Sequence, residues 1–154
     1  MTAEARHDEL VAAIAQRVRS LALATEHIAQ TFAAEQGLHP TDFRALALIY
    51  EAERAGAPLT ARALARALSL SPGAVTYSVD RLTASEHVWR QKDEQDGRRV
   101  VLRIAPHGRE VAAGFFAPLG RAQADALASY TDAELRICER FLADLVGAFG
   151  RSDG

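Results

Sequence analysis

Two stretches of this chain carry side chains whose types and spacing suit contact with a nucleic acid. The first is LTARALARALSLSPGAVTYSVDRL, residues 59–82. Thr60 can cap a helix in which Leu64 and Leu68 face inward and Arg62 and Arg66 face out, with Ala65 small enough for another helix to approach closely. Ser69-Leu70-Ser71 breaks that helix, its leucine plugging the angle. Ser71 then caps a second helix, with Pro72 in the first turn, where a missing N–H costs no hydrogen bond. Val75, Val79 and Leu82 give this helix one apolar face. Gly73, Ala74, Tyr77, Asp80 and Arg81 fall on the opposite side, flanked by Thr76 and Ser78. A helix, a tight turn and a helix with small and polar residues on its free face form the helix-turn-helix pattern, whose second helix can enter a major groove. Hydroxyls there can meet base edges or phosphates, and long acidic side chains would be repelled. By spacing alone an ordinary helical hairpin would look the same.

The second stretch, WRQKDEQDGRRVVLRI (residues 89–104), follows at once; in isolation it would look like an ordinary solvated hairpin, and the order helix, helix, hairpin is what weighs toward the DNA-binding pattern. Val100, Leu102 and Ile104 alternate with Val101 and Arg103, which predicts a strand with Val88–Lys92 as its partner and Asp96-Gly97 in the turn. Lys92, Arg98 and Arg99 cluster around that turn, where no apolar residue competes. A cationic hairpin tip beside a helix-turn-helix is a wing, able to reach a phosphate or a narrow minor groove.

Helices must position these stretches. Leu10, Ile14, Val18, Leu21, Thr25, Ile28 and Phe32 follow at three- and four-residue steps, predicting one helix of about 30 residues that Gly37 ends. Its stripe is longer than a small domain covers, so part of it is expected to pack on another chain. After Gly37-Leu38-His39-Pro40, a helix capped by Thr41 or Asp42 packs through Phe43, Leu46, Ile49 and Tyr50. From Pro106 a helix with Val111, Phe115, Phe116 and Leu119 inward should be bent by Gly114, Pro118 and Gly120. Thr131-Asp132-Ala133-Glu134 is a capping box opening a last helix with Leu135, Cys138, Leu142, Leu145 and Phe149 on one face. The expected fold is mainly α with a small β-wing.

The 154 residues suffice for a single domain, 1–154. Its expected parts are dimerisation helices at 1–36 and 107–150 and a winged DNA-binding region at 41–104. The net charge of −2 hides a pattern. Residues 1–59 hold five Lys/Arg against eight Asp/Glu, residues 60–104 eight against five, and residues 105–154 five against seven. The basic third is the one that carries both stretches, and the local field decides what docks there. No apolar run reaches the roughly 18 residues of a membrane span. The polar start MTAEARHDEL does not read as a signal peptide, so a cytoplasmic location with no membrane partner is expected. The five histidines, His7, His27, His39, His87 and His107, are scattered without zinc-site spacing. No phosphate loop or nucleophile elbow occurs. Neither catalysis, a metal nor a cofactor is expected. The lone Cys138, on the apolar face of the last helix, reads as a buried structural residue.

From Leu10 to about Phe149 the sequence resembles the multiple antibiotic resistance regulators, the MarR family of dimeric winged helix-turn-helix repressors and activators. The resemblance rests on LHPTDFRALALI, on LARALSLSPGAVTYSVDRL, and above all on DEQDGRR followed by VVLRIAPHGRE. It makes Arg98 the wing-tip arginine, Asp96 the aspartate two before it, and Asp80-Arg81 the aspartate–arginine pair late in the recognition helix. Ser71, Thr76 and Tyr77 fall where that helix touches DNA. The expected DNA-binding set is therefore Arg62, Ser71, Gly73, Ala74, Thr76, Tyr77, Arg81, Lys92, Arg98 and Arg99, with Asp80 and Asp96 positioning the wing. Leu10, Ile14, Leu142, Leu145 and Phe149 are expected in the homodimer interface. The implied partner is a pseudo-palindromic double-stranded operator, and the implied function that of a repressor relieved by a small aromatic or lipophilic effector. Phe32, His39, Phe43 and Tyr50 stand where relatives place its pocket, although aromatic residues at helical spacing also make an ordinary core. Four departures stand out. Tyr77 replaces a frequent basic residue, Gly97 a second wing arginine for which Arg99 can substitute, Glu86 a helix-ending glycine, and Ala105 a capping threonine. The alternative function is a winged-helix protein-interaction module that binds no DNA, kept open by the low pI of 6.2 and by the absence of lysine and arginine on the recognition-helix face, and opposed by Arg62, Arg66, Arg98 and Arg99.

Overall fold

A computed structural model describes residues 3–93 and 96–150. Glu94 and Gln95, inside the expected hairpin turn, and the chain's first two and last four residues lie outside the described residues. The element order is α1 (Ala3–Glu35), α2 (Pro40–Arg54), α3 (Ala61–Leu68), α4 (Pro72–Ala84), β1 (Val88–Lys92), β2 (Val100–Ile104), α5 (Pro106–Leu127) and α6 (Asp132–Gly150). The chain is mainly helical with one small antiparallel sheet, and it forms two compact units, Met1–Phe115 and Phe116–Gly154. Among the described residues no helix is long and apolar enough to cross a membrane.

In the first unit α1 to α4 all end in the same way. The first residue past α3, Ser69, and the second residue past each of the others, Gly37, Gly56 and Glu86, takes a left-handed conformation. The following N–H then reaches back to a carbonyl of the last turn: Leu38 to Ala33, Ala57 to Ala52, Leu70 to Ala65, and His87 to Leu82. This closure satisfies carbonyls that would otherwise be orphaned and turns the chain sharply. Ser69 and Glu86 do it with a Cβ in place, at φ of 52° and 58°. The glycine missing from position 86 is thus a real departure that the backbone absorbs as local strain.

Helix starts follow the sequence with one correction. Thr60 Oγ1 accepts from Ala63 N, and Ser71 Oγ accepts from Ala74 N. For α2 the cap is neither Thr41 nor Asp42 but His39, whose Nδ1 accepts from Thr41 N at 3.2 Å, with Pro40 opening the helix. The physical reason is Pro40, which opens the helix two residues earlier than a Thr41 cap would. Asp42 is thereby free to turn inward. Ala105 stands just before α5 and offers no side-chain oxygen to that helix start.

The core of this unit is built by Phe43, Leu46 and Ile49 of α2, Leu64 and Leu68 of α3, Val75, Val79 and Leu82 of α4, and Val88, Val101, Leu102 and Ile104 of the hairpin. Each such side chain contributes about 1.5–3 kcal/mol on burial. Phe32, Phe43 and Phe115 make a mutually tilted trio with centroids 4.9–5.4 Å apart. The hairpin pairs Val88 with Ile104 and Lys92 with Val100. Its burial departs from simple alternation: Val101 is buried and Val100 is exposed. Successive strand residues point to opposite faces, so β2 is covered on both faces at Val101-Leu102. Its outer edge is also engaged, Leu102 N donating to Leu59 O at 2.7 Å.

The second unit opens α6 with the expected capping box: Thr131 N donates to Glu134 Oε2 at 2.8 Å, and Glu134 N donates to Thr131 Oγ1. Donation from Thr131 N and from Thr131 Oγ1 to the Glu134 carboxylate holds that carboxyl below its ordinary range. No residue of α6 is buried, and Cys138 is only partly so in the single chain. Ile137, Leu142, Val146 and Phe149 are exposed, as are Leu10, Ile14, Leu21 and Leu23 on α1.

Candidate nucleic-acid interface

Helix α4 has an inner and an outer face of opposite character. Val75, Ser78, Val79 and Leu82 are buried, whereas Gly73, Ala74, Thr76, Tyr77 and Asp80 are exposed. Tyr77 is 66% exposed, an unusual position for an aromatic ring on a monomer surface. The hydroxyls at the helix start are partly committed. Ser71 Oγ caps the helix, and Thr76 Oγ1 donates to Pro72 O at 2.9 Å, leaving its lone pairs free to accept. Arg62 and Arg66 project from α3 into solvent.

The wing is tied to this helix by one ion pair: Arg90 Nη2 of β1 donates to Asp80 Oδ1 at 2.7 Å. Asp80 was expected to hold a wing arginine, and the structure supplies Arg90 from the strand. Asp96 organises the turn from within. Its Oδ1 accepts from Arg98 N at 3.1 Å and its carbonyl from Arg99 N, an Asx-type turn that fixes the backbone under both arginines. Lys92, Arg98 and Arg99 are all exposed; Arg99 lies 3.8 Å from Asp93, and among the described residues the Arg98 guanidinium meets no carboxylate. Behind the wing, Arg99, Arg103 and Asp93 line a cleft of about 430 Å³ together with residues 56–59 and Ala63.

The remaining members of the expected set lie elsewhere. Arg81 is turned from the free face onto Asp42, where its Nε donates to Oδ2 at 2.7 Å and its Nη2 to Oδ1 at 2.5 Å. Phe32 and Phe43 belong to the aromatic trio, Tyr50 accepts from Arg54 Nη1 at 3.3 Å, and His39 caps α2. Of these four, His39 lines a cleft of about 450 Å³ with Gly37, Leu38, Asp42, Arg81, Leu82 and Ser85.

Sequence reasoning missed Asp42, Ser78, Arg90 and Glu53. Burial would raise the Asp42 carboxyl, but hydrogen bonds from Arg81 and Ser78 and the attraction of Arg81 outweigh it and hold the group below the usual carboxylate range. Glu53 ties three elements together, Oε2 accepting from Ile104 N and Oε1 from Arg109 Nη2. His87 is buried, and burial first, then the neighbouring His107 ring 4.5 Å away, lowers its pKa. Its carbonyl accepts from Ala105 N, and a Cβ at Gly108 would lie 2.0 Å from that oxygen. That contact explains a glycine in the first turn of α5. None of these contacts leaves a local sequence signal, because each joins residues distant in the chain or identical in type to ordinary surface polars.

Comparison with known proteins agrees with this geometry. The model of the MarR family matches residues 36–99, which span α2 to the wing. The uncharacterized HTH-type transcriptional regulator YcgE of Bacillus subtilis strain 168 is 33% identical over 142 residues, 92% of this chain and 90% of its own. A MarR family protein from Bacillus stearothermophilus has the same fold, with a TM-score of 0.68 at 23% identity, covering 93% of this chain and 97% of that one. A Staphylococcus aureus MepR variant solved bound to an oligodeoxyribonucleotide aligns with a TM-score of 0.56 at 16% identity, over 88% of this chain and 97% of its own, and MepR has also been solved bound to ethidium bromide. With a relative this similar over nearly the whole length and the family's helix-turn-helix and wing in place, the chain belongs to the MarR family of transcriptional regulators.

Proposed function

We propose that the chain acts in the cytoplasm as a homodimer that binds a pseudo-palindromic double-stranded operator and represses transcription until a small aromatic or lipophilic effector loosens it. The observation that carries DNA binding is the outer face of α4, with Gly73, Ala74, Thr76 and Tyr77 exposed beside a wing whose Arg98 guanidinium meets no carboxylate among the described residues. Small residues let the helix backbone approach the groove, and the wing supplies the cation. Residues 41–104 form the DNA-binding region; 1–36 and 107–150 supply the dimerisation helices. Exposed Leu10, Ile14, Leu142 and Phe149, with half-buried Leu145, support that pairing. An obligate interface of this kind buries more than about 2,000 Å². The effector reading attaches to the cleft beside His39, whose volume of about 450 Å³ lies in the range of small-molecule sites. MepR, solved with DNA and with ethidium, gives precedent within the fold for both ligands.

The test is selection of fragmented genomic DNA by the purified protein, followed by footprinting and light scattering. The expected result is a site with half-sites about 10 base pairs apart, bound by a particle twice the 16.6 kDa chain mass. A monomer at micromolar concentration, or no enriched fragment, refutes the reading. The second result would leave a winged-helix interaction module.

A further inference from the structure

A short relay runs from the start of α2 to the exposed face of α4. Asp42, 4% exposed, accepts from Ser78 Oγ at 2.6 Å and from both edges of the Arg81 fork. The guanidinium so held is a flat plate, and the Tyr77 ring rests against it with its centroid 4.3 Å from the guanidinium carbon. Tyr77 is two-thirds exposed, with Gly73 and Ala74 one turn before it and Asp80 one turn after it on α4, so most of its ring faces solvent rather than core. An unanchored tyrosine samples several rotamers and must be ordered on binding, whereas one stacked on an immobile cation is ordered beforehand. Arginine is suited to this because its bidentate fork and its aromatic-stacking face are used at right angles to each other.

We propose that Asp42 is a positioning residue for sequence reading: through Arg81 it holds the exposed Tyr77 ring in the orientation that meets the bases. This rests on the DNA-binding function proposed above and adds to it a specificity determinant that never touches DNA. A phenol on that face can offer its ring edge to thymine methyl groups and its hydroxyl to a base or phosphate. Loss of the anchor should therefore lower discrimination between sequences and spare the sequence-independent electrostatic attraction.

The test uses the full-length protein, the duplex that wild type selects from genomic DNA, and a scrambled duplex of equal length. Asp42→Asn should lower the ratio of selected to scrambled affinity about tenfold, with scrambled affinity unchanged or higher because an anion is lost. Tyr77→Ala should lower the ratio similarly, and the double variant no further, which additive structural damage would not produce. Arg81→Lys keeps the charge but not the fork or the plane, and should mimic Asp42→Asn even if the latter folds poorly. Fluorotyrosine NMR of the free protein gives a reading independent of DNA. The chain has three tyrosines, and the Tyr77 resonance should shift in Asp42→Asn and Arg81→Lys while that of Tyr130 stays. A wild type that prefers no duplex refutes the DNA-binding function. A wild type that discriminates, with Arg81→Lys and Asp42→Asn discriminating equally well or the Tyr77 resonance unmoved, overturns this inference alone. Equal losses on both duplexes also overturn it, since they mark a general structural role.

Discussion

Substitution of Arg98 by alanine tests the wing with a magnitude that follows from its surroundings. Arg90 is paired with Asp80, Arg81 with Asp42, Arg103 with Gln91, and Arg99 lies near Asp93. Arg98 alone of these has an uncommitted guanidinium among the described residues, on a backbone fixed by the Asp96 turn. A cation in that state releases condensed counterions on meeting a phosphate, about 0.9 per contact in the slope of log K against log salt. The proposed homodimer would carry two wings, so Arg98→Ala should flatten the slope by about 1.8. Between about 50 and about 200 mM salt, a fourfold change, the affinity deficit of the variant should therefore shrink by about twelvefold. The loss should extend to scrambled duplexes, because a phosphate contact carries no sequence information. Stability should move by less than about 0.5 kcal/mol, since the side chain is exposed. Fluorescence anisotropy titrations at the two salt concentrations, with urea unfolding as the control, measure all three quantities. Equal slopes for variant and wild type would show that the wing arginine meets no phosphate, and the assignment of the wing as a DNA contact would fall.

Three further predictions concern the joint between α4 and the wing. Glu86→Gly relieves a left-handed Cβ worth about 1–2 kcal/mol against a glycine entropy cost of about 0.5–1, so urea unfolding should show a net gain of about 0.5–1 kcal/mol; a loss would refute the strain. Gly108→Ala drives a Cβ into the His87 carbonyl and should cost about 3 kcal/mol or more, read as a fall in the urea midpoint or as insoluble protein; near-neutral behaviour would contradict the packing. His87 has its pKa lowered by burial and by His107, so the unfolded chain takes up a proton near about pH 6.5 that the folded chain refuses. Stability should consequently fall as pH drops from about 7 until the folded-state pKa is passed, and His87→Gln should flatten that fall; an unchanged slope in the variant places the proton uptake elsewhere.

The elements themselves were legible in the chain. Both strands were read to the residue, the faces of α3 and α4 followed from Leu64, Leu68, Val75, Val79 and Leu82, and the caps at Thr60, Ser71 and Thr131 were plain, because periodicity and capping depend on residues within one or two turns. The family, too, was legible in the wing motif. Only the tertiary structure decided what crosses between elements. Asp42 looked like a cap, since an aspartate near a helix start usually is one; its inward turn depends on Ser78 and Arg81 lying opposite, 36 and 39 residues on. Arg81 looked like a free cation for the same reason. Val101 is buried although it points away from Leu102 and Ile104, because β2 is covered on both faces there, which alternation along one strand cannot reveal. Spacing fixes which way a side chain points within its own element, and the partner it meets there is set by the packing of the whole unit.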